Sequence, residues 1–167
     1  MTTRDRAGRV GYAGGAFDLF HIGHLNLLRH AKSHCDYLIA GVASDEMLLQ
    51  TKGRRPVVPL AERLEIVQHI SYVDEAVAEV FVDKLATWNE LRFDVYFKGD
   101  DWQGTEKGLR LERDFARHGV EVVYFPYTLS TSSTLLRGAL NALVTQATDA
   151  VSQAAASVGQ NASAALP

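Results

Sequence analysis

Short apolar runs alternate with amphipathic stretches from Val10 to about Leu143, the pattern of parallel strands covered by helices. Val10 to Ala13 and Tyr37 to Val42 read as strands, and Leu25, Leu27, Leu28 and Ala31 between them share one face of a helix. Together they predict a first βαβ unit. Pro56 and Pro59 bracket a loop, after which Leu60, Leu64, Val67 and Ile70 recur at helical spacing and Ala76 to Val82 returns to strand character. Val95 to Lys98 and Val120 to Phe125 predict two further strands, separated by a charged helix from about Thr105 to His118, and a last helix starts near Ser132. An α/β sandwich with helices on the faces of a parallel sheet is the expected fold.

The end of the chain changes character. From Gly138 to Pro167 there is no Lys or Arg and one acidic residue, Asp149, among many Ala, Ser and Gln. Leu136, Leu140, Leu143, Val144 and Val151 lie near one helical face, whereas little remains to bury from Ala154 onward, so the pattern predicts a helix fraying into disorder. The expected division is a flexible N-terminus (1–8), one domain (9–145) and an Ala/Ser-rich tail (146–167).

Composition narrows the function classes. With 47% hydrophobic and 22% charged positions in 167 residues, the chain can build one sizeable core. Its 17 Lys plus Arg against 20 Asp plus Glu leave a net charge of -3, which gives no general field for a nucleic-acid partner. Cys35 stands alone, so a disulfide within the chain and a cysteine-built zinc site are both excluded. Met1 to Arg9 leads into no signal-like apolar run and no stretch is apolar enough to span a bilayer, so a cytoplasmic protein without a membrane partner is expected.

The most informative segment, Gly14-Gly15-Ala16-Phe17-Asp18-Leu19-Phe20-His21-Ile22-Gly23-His24, lies where the first strand gives way to the first helix. Ligands of open α/β sheets gather at that edge. Gly14 and Gly15 allow the backbone to approach a bulky anion, and a helix opening near Gly23 aims its unpaired N–H groups at the same place. His21 and His24 are spaced so that both imidazoles can face one phosphoryl group and donate hydrogen bonds as charge builds on it. A metal pair or two ordinary polar residues at a helix start are the other readings of the same spacing. His30 and His34 fall on the outer face of that helix and read as solvated. Lys52-Gly53-Arg54-Arg55 is a basic loop suited to a polyphosphate, or simply a solvated turn. Ser130 to Arg137 joins a loop to the last helix and offers hydroxyls and free amides to an anion, or a plain serine N-cap.

The Gly15-Ala16-Phe17-Asp18 and His21-Ile22-Gly23-His24 segment resembles the signature of the His-x-Gly-His nucleotidyltransferase superfamily. Phe97-Lys98-Gly99-Asp100-Asp101-Trp102 and Tyr72-Val73-Asp74-Glu75 narrow the resemblance to its cytidylyltransferase family, and nearest to the enzymes acting on glycerol 3-phosphate. The resemblance covers about Arg9 to Leu140 and implies a Rossmann-like three-layer sandwich that transfers CMP from CTP to a phosphorylated alcohol, with Mg²⁺ as cofactor and a homodimeric state. By the same likeness His21, His24, Lys52 and Arg63 are the expected catalytic groups. Gly14, Gly15, Ala16, Phe17, Asp18, Gly23, Lys98, Gly99, Asp100, Asp101, Trp102, Ser132, Ser133 and Thr134 are expected to bind nucleotide, and Asp18 also to hold the metal.

The chain departs from the family pattern at the acceptor. Tyr127-Thr128-Leu129-Ser130 stands where the family has Arg-Thr-Glu-Gly, and Ser71 where it has Arg before Tyr-Val-Asp-Glu. Each missing charge-assisted contact is worth about 1.5 to 3 kcal/mol. Either other groups hold the acceptor phosphate or the acceptor differs, and Arg137, one turn past Thr134, is a candidate replacement. The loop Gly53 to Pro59 also resembles adenylyltransferases of the superfamily that use ATP on FMN or a sugar phosphate, and a non-catalytic nucleotide-binding module is the remaining reading.

Overall fold

A computed structural model describes residues 8–126, 128 and 131–163, with 153–163 as backbone alone. Five strands, β1 (Val10–Gly15), β2 (Tyr37–Ala43), β3 (Glu75–Glu79), β4 (Val95–Gly99) and β5 (Glu121–Phe125), form one sheet in the order β3-β2-β1-β4-β5. Every neighbouring pair is parallel, with Ala13 of β1 opposite Ala40 of β2 on one side and Phe97 of β4 on the other. The chain winds outward from β1 to β3 and then returns to β4 on the opposite side of β1. The C-terminal ends of β1 and β4 therefore border the crevice where ligands of such sheets bind.

Alternation along the strands divides the core into two layers. Ala13, Ala40, Val42 and Phe97 face α1 (Ile22–Lys32) and α3 (Leu60–Gln68), which contribute Leu28, Ala31 and Val67. Tyr12, Ile39 and Tyr96 face α4 (Lys84–Leu91) and α5 (Glu106–Ala116), which contribute Trp88, Leu111 and Phe115. At the sheet's C-terminal edge, α2 (Asp45–Lys52) packs Met47 and Leu48 on Ala43. The three-layer α/β sandwich with a parallel sheet is the fold expected from the sequence.

Two helices and one strand end were not expected. Ser44 caps α2 through a bond from the Met47 amide, and Asp83 caps α4 through the Leu85 amide. Each helix spans eight residues, too few for a hydrophobic period to register. The strand read as Ala76 to Val82 ends at Glu79, because Val80 and Val82 are exposed and the chain turns there toward the Asp83 cap. His34 is exposed, as the sequence suggested, while His30 is half-buried; both rings lie against Phe125, with centroids 5.2 and 5.5 Å away respectively.

The chain divides into two compact units that part between Ser132 and Ser133. The second contains α6 (Ser133–Ser163), whose backbone passes without a break through residue 145, where the sequence suggested a boundary, and beyond Ala154, where it suggested fraying. Thr145, Thr148 and Ser152 donate to the carbonyls of Asn141, Val144 and Thr148 four residues earlier, which keeps their hydroxyls satisfied within the helix.

Candidate active site

β1 ends in Gly14-Gly15, and the next residues reverse the chain through backbone that side chains rarely adopt. Phe17 and Leu19 both have φ of 50°, a left-handed conformation costing about 1–2 kcal/mol each. Asp18 lies between them, 2% exposed, and its carboxylate shows what holds the turn. Oδ1 accepts from the amides of Val57 and Val58 at 3.1 and 2.9 Å, and Oδ2 from Val57 at 3.0 Å. Asp18 thus ties the phosphate-type turn after β1 to the loop between α2 and α3. The carboxylate expected to hold a metal is thus engaged by backbone amides as well. Among the described residues no group of three His, Cys, Asp or Glu is placed to hold an ion, so a magnesium ion here would draw most of its ligands from substrate phosphates and water.

The turn delivers the two histidines. His21 is the N-cap of α1, and its Nδ1 accepts from the Gly23 amide at 3.0 Å. The Nδ1 of His24 accepts from the His21 amide at 3.4 Å. When Nδ1 is an acceptor the proton of a neutral ring resides on Nε2, so both rings carry an Nε2–H donor. Their centroids are 4.0 Å apart, and Phe17 and Phe20 each lie 5.4 Å from the His24 ring. Burial lowers the pKa of His21, and it lowers that of His24 to about 3, assisted by His21 and Lys52 and opposed by Asp18. Both rings are neutral near pH 7. They form a pair of donors with no charge of their own, suited to an anion that gains charge during reaction.

Arg63 is elsewhere than its expected role requires. It is 1% exposed and spends its donors inside the protein. Nε donates to Val58 O at 2.8 Å, one terminal nitrogen to Ala16 O at 2.6 Å and Ala43 O at 2.8 Å, and the other to Asp45 Oδ1 at 2.5 Å. The expectation of a guanidinium on phosphate is corrected: Arg63 fastens the turn after β1, the end of β2 and the 57–58 segment to one another. Asp45, its ion-pair partner, was missed by sequence reasoning. The available signal was Ser44-Asp45 at a short helix start, which reads as an ordinary cap.

The other expected residues gather around the same edge. Lys52 closes α2, is exposed, and lies near enough to act electrostatically on both His24 and Lys98. Lys98 sits at the end of β4 with its ammonium 4.5 Å from the centroid of the Trp102 ring. Burial, chiefly, lowers its pKa. Asp100, Asp101 and Trp102 form one 3₁₀ turn directly after Gly99, with both carboxylates exposed. Thr128 reaches back to α1, where its Oγ1 accepts from Asn26 Nδ2 at 3.2 Å; a Cβ on Gly23 would lie 3.6 Å from its own. The segment preceding the serine-rich motif therefore touches the His-x-Gly-His turn. Tyr127, Leu129 and Ser130 lie outside the described residues, Ser132 closes the first compact unit, and Ser133 and Thr134 open the second.

The turn, the neutral histidine pair and the Lys98–Trp102 platform occupy the part of the chain that a known family model also matches. That model, described as cytidylyltransferase-like, matches residues 12–139. The chain belongs to the cytidylyltransferase-like family. This cytidylyltransferase-like protein is 36% identical over 124 residues to the glycerol-3-phosphate cytidylyltransferase of Bacillus subtilis (strain 168), covering 74% of this chain and 90% of that one. It is 41% identical over 97 residues to an ethanolamine-phosphate cytidylyltransferase of Arabidopsis thaliana, covering 54% of this chain and 22% of that longer protein. Among solved structures, the lipopolysaccharide core biosynthesis protein from Thermoplasma volcanium GSS1 superimposes with a TM-score of 0.62 and 25% identity, covering 73% of this chain and 98% of that one. Pantothenate synthetase from Thermus thermophilus shares the fold at a TM-score of 0.54 and 19% identity, over 75% of this chain and 60% of that one.

Proposed function

We propose that this enzyme transfers CMP from CTP to a phosphoalcohol, with glycerol 3-phosphate as acceptor, and releases pyrophosphate. The observation that carries the reading is the His21–His24 pair, two rings 4.0 Å apart whose Nδ1 atoms are both engaged by backbone amides at the crevice of the sheet. The 36% identity to a glycerol-3-phosphate cytidylyltransferase over 90% of that relative supports the choice of reaction.

In this reading an oxygen of the acceptor phosphate attacks the α-phosphorus of CTP in line. A phosphorus–oxygen bond forms, the bond to the oxygen bridging the α and β phosphates breaks, and its electron pair departs with pyrophosphate. The Nε2–H groups of His21 and His24 donate to the α-phosphoryl oxygens as charge rises there, an electrostatic contribution that needs no covalent enzyme intermediate. Lys52 steadies the departing phosphates, and Lys98, Gly99, Asp100, Asp101 and Trp102 border the nucleoside. The Ser132-Ser133-Thr134 motif is assigned to the β and γ phosphates on its sequence alone. Asp18 and Arg63 act as positioning residues, fixing the turn and the loop between which the triphosphate lies. Magnesium belongs to the substrate in this scheme, arriving on the triphosphate, whose charge it screens.

A homodimer and a cytoplasmic location complete the proposal. The helix α6 keeps Leu140, Leu143, Val144 and Val151 exposed, a stripe that a second subunit would cover, and the lone half-buried Cys35 suits a reducing compartment. Light scattering gives twice 18.4 kDa if the dimer forms. For the activity, pyrophosphate release is measured with CTP and with ATP against glycerol, ethanolamine, choline, ribitol and heptose phosphates. Release with CTP and a phosphoalcohol is expected. Release with ATP alone would make the protein an adenylyltransferase, and CTP binding without release from any acceptor would make it a nucleotide-binding module.

A further inference from the structure

The short turn that follows β4 is held from behind by the start of α5, and the fit between them is close. Gly108 is buried in the first turn of α5, where alanine would suit the helix better because glycine loses more backbone freedom on folding. A Cβ at that position would lie 2.0 Å from the Trp102 carbonyl oxygen and 3.1 Å from the Tyr124 hydroxyl. The missing side chain lets the helix sit directly against the backbone of the turn. Thr105, the N-cap of α5, completes the junction. Its hydroxyl donates to Trp102 O at 2.8 Å and accepts from the Gly108 amide at 3.1 Å, while its own amide donates to the same carbonyl at 3.1 Å.

The segment so fastened borders the C-terminal edge of the sheet. Asp100 to Trp102 is a single 3₁₀ turn, closed by one bond from the Gln103 amide to Asp100 O at 3.0 Å, and so short an element takes its position from its neighbours. The Trp102 indole packs on the layer that faces α4 and α5, with the Lys98 ammonium 4.5 Å from its ring centroid. The parallel register sets Lys98 opposite Tyr124, whose hydroxyl donates at 2.7 Å to Glu112, one turn along α5 from Gly108. Moving the Trp102 carbonyl therefore moves the indole beside Lys98 and the two exposed carboxylates of Asp100 and Asp101. A glycine kept at a buried helical position secures the place of this turn at the expense of the helix.

Resting on the nucleoside assignment proposed above, we infer that Gly108 and Thr105 are positioning residues for the nucleoside of CTP, acting through the Trp102 carbonyl on the Lys98–Trp102 platform and the Asp100–Asp101 pair. Neither touches the substrate. The α-phosphoryl group, met by the histidines of α1, is not fixed by this junction, so its disturbance falls on nucleotide affinity before it falls on turnover.

The test compares wild type with Gly108→Ala, Thr105→Val, Thr105→Ser and Leu111→Ala, measuring the Kd for CTP by equilibrium dialysis with labelled nucleotide and the KM values for CTP and glycerol 3-phosphate by pyrophosphate release. Alanine at 108 forces the Trp102 carbonyl out from 2.0 Å to at least 3.0 Å, and a shift of that size should raise Kd and KM for CTP by about tenfold or more, with the acceptor KM within about twofold. Thr105→Val should raise them about three- to tenfold, and Thr105→Ser, which keeps the hydroxyl, should stay within about twofold of wild type. Leu111, 8% exposed on the same helix, reports on packing alone: its truncation should lower Tm and leave the Kd for CTP within about twofold. The Thr105 pair decides the matter if Gly108→Ala does not fold. An unchanged Kd for CTP in Thr105→Val, an equal rise in Thr105→Ser, or an equal rise in Leu111→Ala would each overturn the inference while leaving CMP transfer standing. Wild type that binds CTP without releasing pyrophosphate would remove the proposed activity and leave the dialysis to decide the inference, whereas wild type that does not bind CTP would remove both.

Discussion

Replacing Arg63 with methionine separates a positioning role from direct contact with substrate. The guanidinium is 1% exposed and makes four hydrogen bonds, to Ala16 O, Ala43 O, Val58 O and the Asp45 carboxylate. Methionine roughly fills the aliphatic volume but leaves three carbonyls and one carboxylate without their donor. Removing one partner of a buried ion pair costs about 3–5 kcal/mol, and the 22% exposure of the Asp45 side chain argues for the lower end, about 3 kcal/mol. For a domain of this size each kcal/mol moves Tm by about 2–4 °C, so a fall of about 6–12 °C is expected. Turnover should fall as well, because Ala16 and Val58 belong to the turn and loop that Asp18 also joins. Thermal unfolding followed by circular dichroism gives the first quantity, and kcat measured well below the lowered Tm gives the second. Asp45→Asn should lower Tm in the same direction, and the double variant should lose less than the sum of the two, since both substitutions break one interaction. An Arg63→Met protein that keeps its Tm within about 1 °C yet loses turnover would refute the reasoning and return Arg63 to the substrate.

Three further outcomes follow from the site. His24→Ala should lower kcat by about 10²- to 10³-fold, the size of effect seen when one preorganised donor is lost, without loss of far-ultraviolet circular dichroism; unchanged turnover in steady-state assays would contradict the assignment. Asp18→Asn should lower kcat and loosen the 57–58 segment, seen as faster amide exchange at Val57 and Val58, while the magnesium dependence keeps its midpoint; a shifted midpoint would show Asp18 to be a metal ligand. The His24 pKa is depressed from 6.5 to about 3, so the unfolded chain takes up the proton first and stability is lost as pH falls from about 6.5 toward 3. His24→Gln should flatten the fall in Tm across that range, and an acid limb of kcat near pH 6.5 that vanishes in this variant would contradict a neutral ring.

The sheet was legible because its strands are buried on both faces, so Val10 to Ala13, Tyr37 to Val42 and Val95 to Lys98 stand out as continuous apolar runs. The eight-residue helices α2 and α4 were not, since two turns closed by Ser44 and Asp83 carry too little periodicity. Among the site residues, His21 and His24 were readable from spacing, because a helix start fixes their relation locally. Arg63 and Asp18 were not readable in the same way. Whether a charged residue meets a ligand or a backbone carbonyl depends on what the fold brings to it from 39 or 47 residues away, as with Val57 for Asp18 and Ala16 for Arg63. Glu79 was read as one more strand residue, and only the parallel register that sets β3 two strands from β1, with Gly14 and Gly41 bare between them, brings its carboxylate beside the Tyr12 hydroxyl.

The central claim is a direct transfer in which two neutral imidazoles stabilise the α-phosphoryl group and never bond to it. The configuration at phosphorus tests it, using CTP with one sulfur replacing a non-bridging α-oxygen in a single stereoisomer and glycerol 3-phosphate as acceptor. One in-line displacement gives a CDP-glycerol analogue of inverted configuration; retention would show two displacements and a covalent enzyme intermediate, and would contradict the account.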